Sequence, residues 1–286
     1  MTRKFFWLVR YDLRFGVFAE WRYLLFIALI FMFPCLELFY NYSEIMKMPE
    51  ILEIYPLENK LTFGDYILYA FKGTENFIPG DNNFRVNVFW ILNNTYLSFF
   101  IGFYPFKDLS EVGQLVLLKS EKRYFWWLSK CIWITLSVFF YYLIAFIVIL
   151  SFAFITGSLN IMPQENIQIY FSQVDISNLN MISFLKIIFQ LLFASIALSL
   201  FQMLLALILK PIISFILIFS CLIISIFYTS FFLPGNSSMM IRSEYLCLTE
   251  NIKFTDCFIL SLFFICFSII LGSVIFTKYN IISNRS

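Results

Sequence analysis

The stretch ISFLKIIFQLLFASIALSLFQMLLALILKPIISFILIFSCLIISIFYTSFFL, residues 182–233, decides the fold because it places two long apolar runs one after the other. The runs are Ile182–Leu209 and Ile212–Leu233, and only Lys210 and Pro211 separate them. Each run reaches the ~20 residues that a helix needs to cross about 30 Å of hydrocarbon. Because a backbone in lipid must satisfy its own hydrogen bonds, runs of this length predict membrane-spanning helices.

Four further apolar runs extend the pattern, which predicts an all-α membrane protein with six transmembrane helices. The composition agrees, since 61% of the residues are hydrophobic and only 13% are charged, against ~25% charged in soluble domains. We therefore expect a single transmembrane domain over residues 1–286, with an outer loop at 41–87. The predicted spans lie at about 23–40, 88–106, 131–156, 182–209, 212–233 and 257–276.

The basic residues indicate the orientation of the spans. With both termini inside, the inner segments hold 13 of the 20 Lys and Arg residues but only five of the 18 Asp and Glu residues. Since Lys and Arg favour the cytoplasmic side, this predicts that both termini lie inside (N-in, C-in). Proline suits a helix start and disfavours helix in the preceding residue, so Lys210-Pro211 predicts a tight inner hairpin. The alternative, one long kinked helix, would place the C-terminus outside.

The composition also excludes several kinds of chemistry. The chain has no His, which removes His-based proton relays, Ser-His and Cys-His nucleophiles and most zinc sites. No G-x-x-x-x-G-K-[ST] phosphate loop occurs, so any ATP and Mg²⁺ must be bound by another chain. We expect a non-catalytic protein without a cofactor of its own and without a nucleic-acid partner. Cys247 and Cys257 could share the last outer loop, and whether they form a disulfide stays open.

The N-terminal segment, residues 1–21, predicts a helix that lies in the inner interface of the membrane. Arg3, Arg10 and Arg14 fall within about 40° of one another on a helical wheel, at 100° per residue. From this face they could reach the anionic headgroups of the lipid bilayer. The simpler interpretation is a basic anchor that only fixes the orientation.

The inner loop KDLSEVGQLVLLKSEKRYFWWLSK, residues 107–130, carries the densest charge in the chain. Asp108 can cap a short helix, and Val112 and Leu115 would then lie on its apolar face. Such an amphipathic helix could press into a groove of a partner protein. The alternative is an ordinary charged loop in which Lys130 extends to the membrane edge.

This loop resembles the corresponding region of ABC-2-type transporter permeases of low-GC Gram-positive bacteria. The likeness rests on Gly113, the Leu run, KSEKR at 119–123 and WWLSK at 126–130 before a Tyr-rich span. It implies a dimer with a second permease chain that docks on two cytoplasmic ATPase subunits through an N-terminal elbow helix and this loop, used as a coupling helix. It also implies a location in the bacterial plasma membrane and an outer re-entrant segment at 234–256. The residues that would couple to the ATPase are Asp108, Glu111, Val112, Leu115, Lys119, Glu121 and Arg123.

Polar stripes on the predicted spans are of the kind that packs helices together in lipid, but they could also line a substrate path. Glu37 is the only acid within a predicted span. Together with the resemblance, this predicts the permease subunit of an ATP-driven transporter that exports or clears an amphipathic substrate, such as an antimicrobial peptide or bacteriocin, a lipid-like compound or a drug. The alternative is an ATPase-independent immunity factor, receptor or channel. The candidate pathway residues are Asn94, Ser98, Ser199, Gln202, Ser225 and Tyr228.

Overall fold

The computed structural model describes residues 2–13, 21–54, 60–80, 84–110, 123–156, 159–172, 174, 176–177, 179–246 and 252–278. Over these residues the chain is built almost entirely of helices. In chain order they are α1 (Thr2–Asp12), α2 (Trp21–Ile45), α3 (Pro49–Ile54), α4 (Phe63–Phe71), α5 (Val88–Ser110), α6 (Arg123–Thr156), α7 (Glu165–Ser172), α8 (Met181–Leu209), α9 (Pro211–Phe227) and α10 (Phe254–Lys278), with short 3₁₀ helices at Asn236–Ser238 and Met240–Arg242.

Four of these helices, α2, α6, α8 and α10, are long and apolar enough to cross a membrane. They coincide with the first, third, fourth and sixth predicted spans. Helix α5 has 23 residues, but Asn93, Asn94 and Thr95 make it more polar than the other four. Helix α9 has 17 residues, about 26 Å at 1.5 Å per residue, because it ends at Phe227 and not at Leu233 as predicted. The helices at the second and fifth predicted spans, α5 and α9, are therefore less suited to crossing a membrane than the other four.

The inner loop predicted at 107–130 is shorter in the structure, because both neighbouring helices extend into it. Helix α5 continues past Pro105 to Ser110, and α6 begins at Arg123 instead of residue 131. The described helices therefore extend beyond the predicted span limits on both sides of this loop. The remaining segment, 111–122, contains the predicted coupling helix and lies outside the described residues.

Helices α8 and α9 form an antiparallel hairpin. The turn is made by Lys210, with φ 85°, a value that most L residues avoid, and Pro211 is the first residue of α9. On the two arms, Leu198 and Leu222 belong to one buried apolar cluster. The predicted tight hairpin is therefore confirmed, and the alternative of one continuous kinked helix is wrong.

Two segments enter the bundle from the end opposite this hairpin. Helix α4 begins with a capping box between Thr62 and Asp65, and it ends at Phe71, whose ring lies 5.2 Å from that of Phe31 in the middle of α2. We call this end of the bundle the outer end, and the end where α5 finishes and α6 begins the inner end.

The second outer segment lies between α9 and α10. Its residues 236–243 are buried, and the Gln190 side chain donates a hydrogen bond to the carbonyl of Ser237. Since Gln190 lies nine residues into α8, this contact is about 13 Å below the helix start. Within the segment predicted as re-entrant, 234–256, the part that the structure shows buried in the bundle contains the two 3₁₀ turns. Cys257 is buried and Cys247 lies outside the described residues, so their disulfide stays an open question.

Candidate functional site

A buried cluster of charges joins the N-terminal helix to the helix ends that border residues 111–122. Asp12 is the last residue of α1, Asp108 lies in the last turn of α5, and Lys130 lies about two turns into α6. All three side chains are buried, and Lys130 is fully so. We call these three residues the inner charge cluster.

Lys130 bridges the two carboxylates of the cluster. Its Nζ lies 2.5 Å from Asp12 Oδ1 and 2.7 Å from Asp108 Oδ2. The Ser129 hydroxyl donates to the other oxygen of Asp12 at 2.5 Å, and the Tyr11 hydroxyl donates to Asp108 Oδ1 at 3.4 Å. Hydrogen bonds between ionised partners are about twice as strong as neutral ones. The cluster therefore holds α1, α5 and α6 together at one point.

Aromatic rings close the remaining sides of the Lys130 ammonium group. The Nζ atom lies 4.8 Å from the ring centroid of Tyr104 and 5.1 Å from that of Trp126, within the range of cation–π attraction. The Trp126 ring in turn stacks on Phe276 of α10 at 4.6 Å. The alternative interpretation of Lys130 as the extended lysine of an ordinary loop is therefore wrong, because the residue lies within α6 and its side chain is buried among carboxylates and aromatic rings.

The electrostatics of the cluster are unbalanced, since it contains two carboxyl groups and one ammonium group. Burial raises the pKa of Asp12 above its ordinary value, and the charge of Asp108 acts in the same direction, while Lys130 and Ser129 oppose it. One ammonium group cannot neutralise two carboxylates in a site with little water. We therefore expect the cluster to take up a proton on Asp12 more readily than the unfolded chain does.

We expect the wild-type chain to gain stability relative to an Asp12→Asn variant as the pH falls from about 7 towards about 4. Because the folded pKa of Asp12 is raised, the folded state binds more protons between the unfolded and folded pKa values. The stabilisation is complete below the unfolded pKa and is lost as the pH rises through the folded pKa. The difference in stability between wild type and variant is measured by thermal unfolding in detergent over this pH range. The control is Asp256→Asn, which changes an exposed acid. A difference that does not change with pH would contradict the prediction.

Two of the predicted coupling residues lie in the described part of the chain. Asp108 belongs to the inner charge cluster, and Arg123, exposed at the start of α6, donates to the carbonyl of Thr277 in α10 at 3.4 Å. Both therefore connect helix ends at the inner end. The other predicted coupling residues, Glu111, Val112, Leu115, Lys119 and Glu121, lie outside the described residues.

Helix α1, the predicted elbow helix, has exposed and buried side chains. Phe6 and Trp7 are exposed and Arg10 is exposed beside them, whereas Leu8 and Asp12 are buried against the bundle. Exposed aromatic and basic side chains on one helix suit the membrane interface. Of the other predicted elbow residues, Arg3 belongs to α1 and Arg14 lies outside the described residues.

Four of the six candidate pathway residues meet between α5 and α8. The Ser98 hydroxyl donates to Gln202 Oε1 at 2.6 Å, and Gln202 Nε2 donates to the carbonyl of Ser98 at 3.0 Å. Asn94 and Ser199 lie beside them, and the cavity among these residues measures about 10 Å³. Such a cavity holds about one water molecule. The polar groups bond across a helix interface here, and any path for a larger molecule would require the helices to separate.

The other two candidate pathway residues lie away from this cavity. Ser225 donates to the carbonyl of Cys221 in its own helix and packs against Gly235 so closely that a Cβ there would lie 2.4 Å from its hydroxyl. Tyr228 follows the end of α9, and its side chain is 67% exposed. The structure therefore divides the predicted set between the bundle interior and the outer segment.

Asp12 and Lys130 were not predicted from the sequence as members of one site. For each residue, its position in the sequence indicated a buried side chain. Asp12 follows Leu8 by four residues, which places both on one face of α1, and Lys130 lies inside the otherwise apolar run that follows Trp126. Neither signal names a partner, since the three residues of the cluster come from distant parts of the chain.

No known protein family, curated protein or solved structure matches this chain. Its class follows from the structure, in which four helices are long and apolar enough to cross a membrane. Among the described residues, no group of three or more His, Cys, Asp or Glu side chains could hold a metal ion. The four helices indicate a membrane-embedded, all-helical protein.

Proposed function

We propose that this chain is the membrane-spanning subunit of an ATP-driven transporter of the ABC-2 permease type. It has six spans with both termini inside the plasma membrane, and it works with a second permease chain and two ATPase subunits. The observation that supports this most directly is the inner charge cluster. A partner that moves α1 or residues 111–122 would act on α5 and α6 at once, because Lys130 connects Asp12 to Asp108.

The buried position of the cluster is what suits it to transmit movement. Removing one partner from a buried ion pair leaves an uncompensated charge and costs about 3–5 kcal/mol. Sliding α1 past the start of α6 would carry a similar penalty, since it would separate Asp12 from Lys130. The three helix ends should therefore move as one body when an ATPase pushes on them.

The closed interior fits the same mechanism. The contact between Ser98 and Gln202 links α5 to α8 in the state described, and the space beside it holds about one water molecule. Transport of an amphipathic molecule then requires an alternating movement in which these helices separate and close again. ATP binding and hydrolysis on the partner subunits supply the energy for that movement.

The proposal predicts that a Mg²⁺-dependent ATPase remains bound to the chain after gentle purification from its native membrane. A Leu115→Asp variant should retain about tenfold less of it, because a charge would be buried on the apolar face of the coupling helix. The measurement is vanadate-sensitive ATP hydrolysis per mole of purified chain, with the bound ATPase identified by mass spectrometry.

A matched control for this experiment is Leu159→Asp, at an exposed leucine near the outer end. It introduces the same charge away from the inner end and should leave the bound ATPase activity unchanged. If no ATPase is bound to the wild-type chain, the proposed function is wrong, and an immunity factor, receptor or channel that acts alone becomes the better interpretation. If Leu115→Asp retains full activity, the docking assignment is wrong.

A further inference from the structure

A large pocket opens at the outer end of the bundle, between α2, the end of α4 and the start of α5. Its volume is about 930 Å³, within the ~300–1,000 Å³ range of sites that bind small molecules. Charged and aromatic side chains share its wall, so it differs from the closed, neutral cavity between α5 and α8. We call it the outer pocket. Its lining includes Glu37, Tyr69, Lys72, Glu75, Arg85, Val88, Phe89 and Phe171.

The charges of the outer pocket cancel, since two side chains are acidic and two are basic. Lys72 and Glu75 form an ion pair, with Nζ 2.9 Å from Oε1, and so largely neutralise each other. Glu37 and Arg85 are both exposed, and Tyr69 lines the pocket with them. The pocket therefore presents one carboxylate and one guanidinium group to a ligand, which favours a ligand that carries both charges.

The pocket lies near the outer end of the first predicted span, 23–40, because Glu37 is three residues from the end of that span. Glu37 lies sixteen residues beyond the start of α2, about 24 Å along the helix, and Val88 begins α5. Towards the inner end, Phe33, Leu29 and Phe26 follow Glu37 on α2, and all three are exposed. At 100° per residue they lie within about 80° of Glu37 on the helix surface. The charged pocket thus continues into an exposed apolar stripe.

We propose that the outer pocket binds a phospholipid with a zwitterionic headgroup of the ethanolamine type. The guanidinium group of Arg85 pairs with the phosphate, because its fork of N–H donors matches phosphate oxygens. The ammonium group of the lipid donates to Glu37, and the acyl chains lie along Phe33 and Leu29. A choline headgroup lacks N–H donors for Glu37, and a glycerol headgroup lacks the positive charge. This inference goes beyond the proposed function, because binding requires neither ATP nor a partner.

Native mass spectrometry of the purified full chain in detergent tests the proposal. The chain is incubated with phosphatidylethanolamine, phosphatidylcholine or phosphatidylglycerol of identical acyl chains, without nucleotide. We expect retention of phosphatidylethanolamine to exceed that of phosphatidylglycerol about tenfold, and Glu37→Gln and Arg85→Gln each to lower it about five- to tenfold. The matched controls, Glu53→Gln and Lys60→Gln at exposed outer residues, should retain the lipid as the wild type does.

A charge reversal makes the test sharper. Glu37→Lys changes the pocket from neutral to positive, so this variant should retain phosphatidylglycerol better than phosphatidylethanolamine. Equal retention of the three lipids by the wild type would overturn the proposal, as would equal losses in the two controls. Displacement of the lipid by an equal concentration of soluble phosphoethanolamine would show that the site takes a free phosphate compound instead. Since no nucleotide is present, failure here leaves the transport proposal standing, and the reverse also holds.

Discussion

Replacing Lys130 with Met is expected to lower the free energy of unfolding by about 3–5 kcal/mol. Methionine keeps most of the side-chain volume but removes the ammonium group, so Asp12 and Asp108 are left buried without the cation that bridges them. The loss can be measured as a fall in the thermal unfolding temperature in detergent. A thiol-reactive dye follows the unfolding through Cys35 and Cys257, which are both fully buried in the folded chain.

Two further variants show whether the stability lost in Lys130→Met comes from the missing charge or from altered packing. Lys278→Met, at an exposed lysine in the last turn of α10, should change stability by less than about 0.5 kcal/mol. A triple variant that combines Lys130→Met with Asp12→Asn and Asp108→Asn removes every charge of the cluster and should recover most of the lost stability. If the triple variant is as unstable as Lys130→Met alone, the loss comes from the packing of the lysine stem and not from its charge.

The long helices could be predicted from the sequence because length and apolarity are local properties. The runs that became α8 and α10 were placed to within about three residues, near the usual error of helix boundaries. The ends of α5 and α6 could not be placed in the same way. Asp108 and Lys130 resemble loop charges in the sequence, whereas in the folded chain they lie within α5 and α6 and pair with each other.

The candidate sites show the same limit. Helical spacing placed Ser98 and Gln202 on inward faces, but it could not show that their side chains bond to each other. Glu37 was noticed as the only acid in a predicted span, whereas its neighbours in the outer pocket come from the segment that returns from α4. That return passes through Gly73, with φ 83°, where a Cβ would also lie 2.5 Å from Met239. Such a turn follows from tertiary contacts that no local pattern encodes.

Arg242 holds the two outer segments against α9. Its side chain is 1% exposed, and it donates hydrogen bonds to oxygens from three separate parts of the chain. The acceptors are the carbonyl oxygens of Thr74, Glu75, Ser225 and Ile226 and the side-chain oxygen of Asn236, with Nε 3.1 Å from Thr74 and Nη2 2.8 Å from Ile226. Because these acceptors are neutral groups, it is the geometry of the guanidinium N–H donors that matches them.

Arg242→Lys is therefore expected to lower the free energy of unfolding by about 3 kcal/mol, although the charge is conserved. The ammonium group of lysine carries its three donors on one atom, so it cannot reach the carbonyl oxygens near Thr74 and those near Ile226 at the same time. Buried acceptors near Thr74 or near Ile226 would lose their partners, at about 1–3 kcal/mol for each group. Thermal unfolding followed by the same thiol reaction measures the loss.

The matched control is Arg10→Lys, which makes the same chemical change at an exposed arginine of α1 and should cost less than about 0.5 kcal/mol. Since both variants keep a positive charge, the difference between them reports the contribution of the buried fork. Equal unfolding temperatures for the two variants would contradict the prediction. In that case the backbone bond from the amide of Ile241 to the carbonyl of Lys72, at 2.9 Å, would be enough to join the two outer segments.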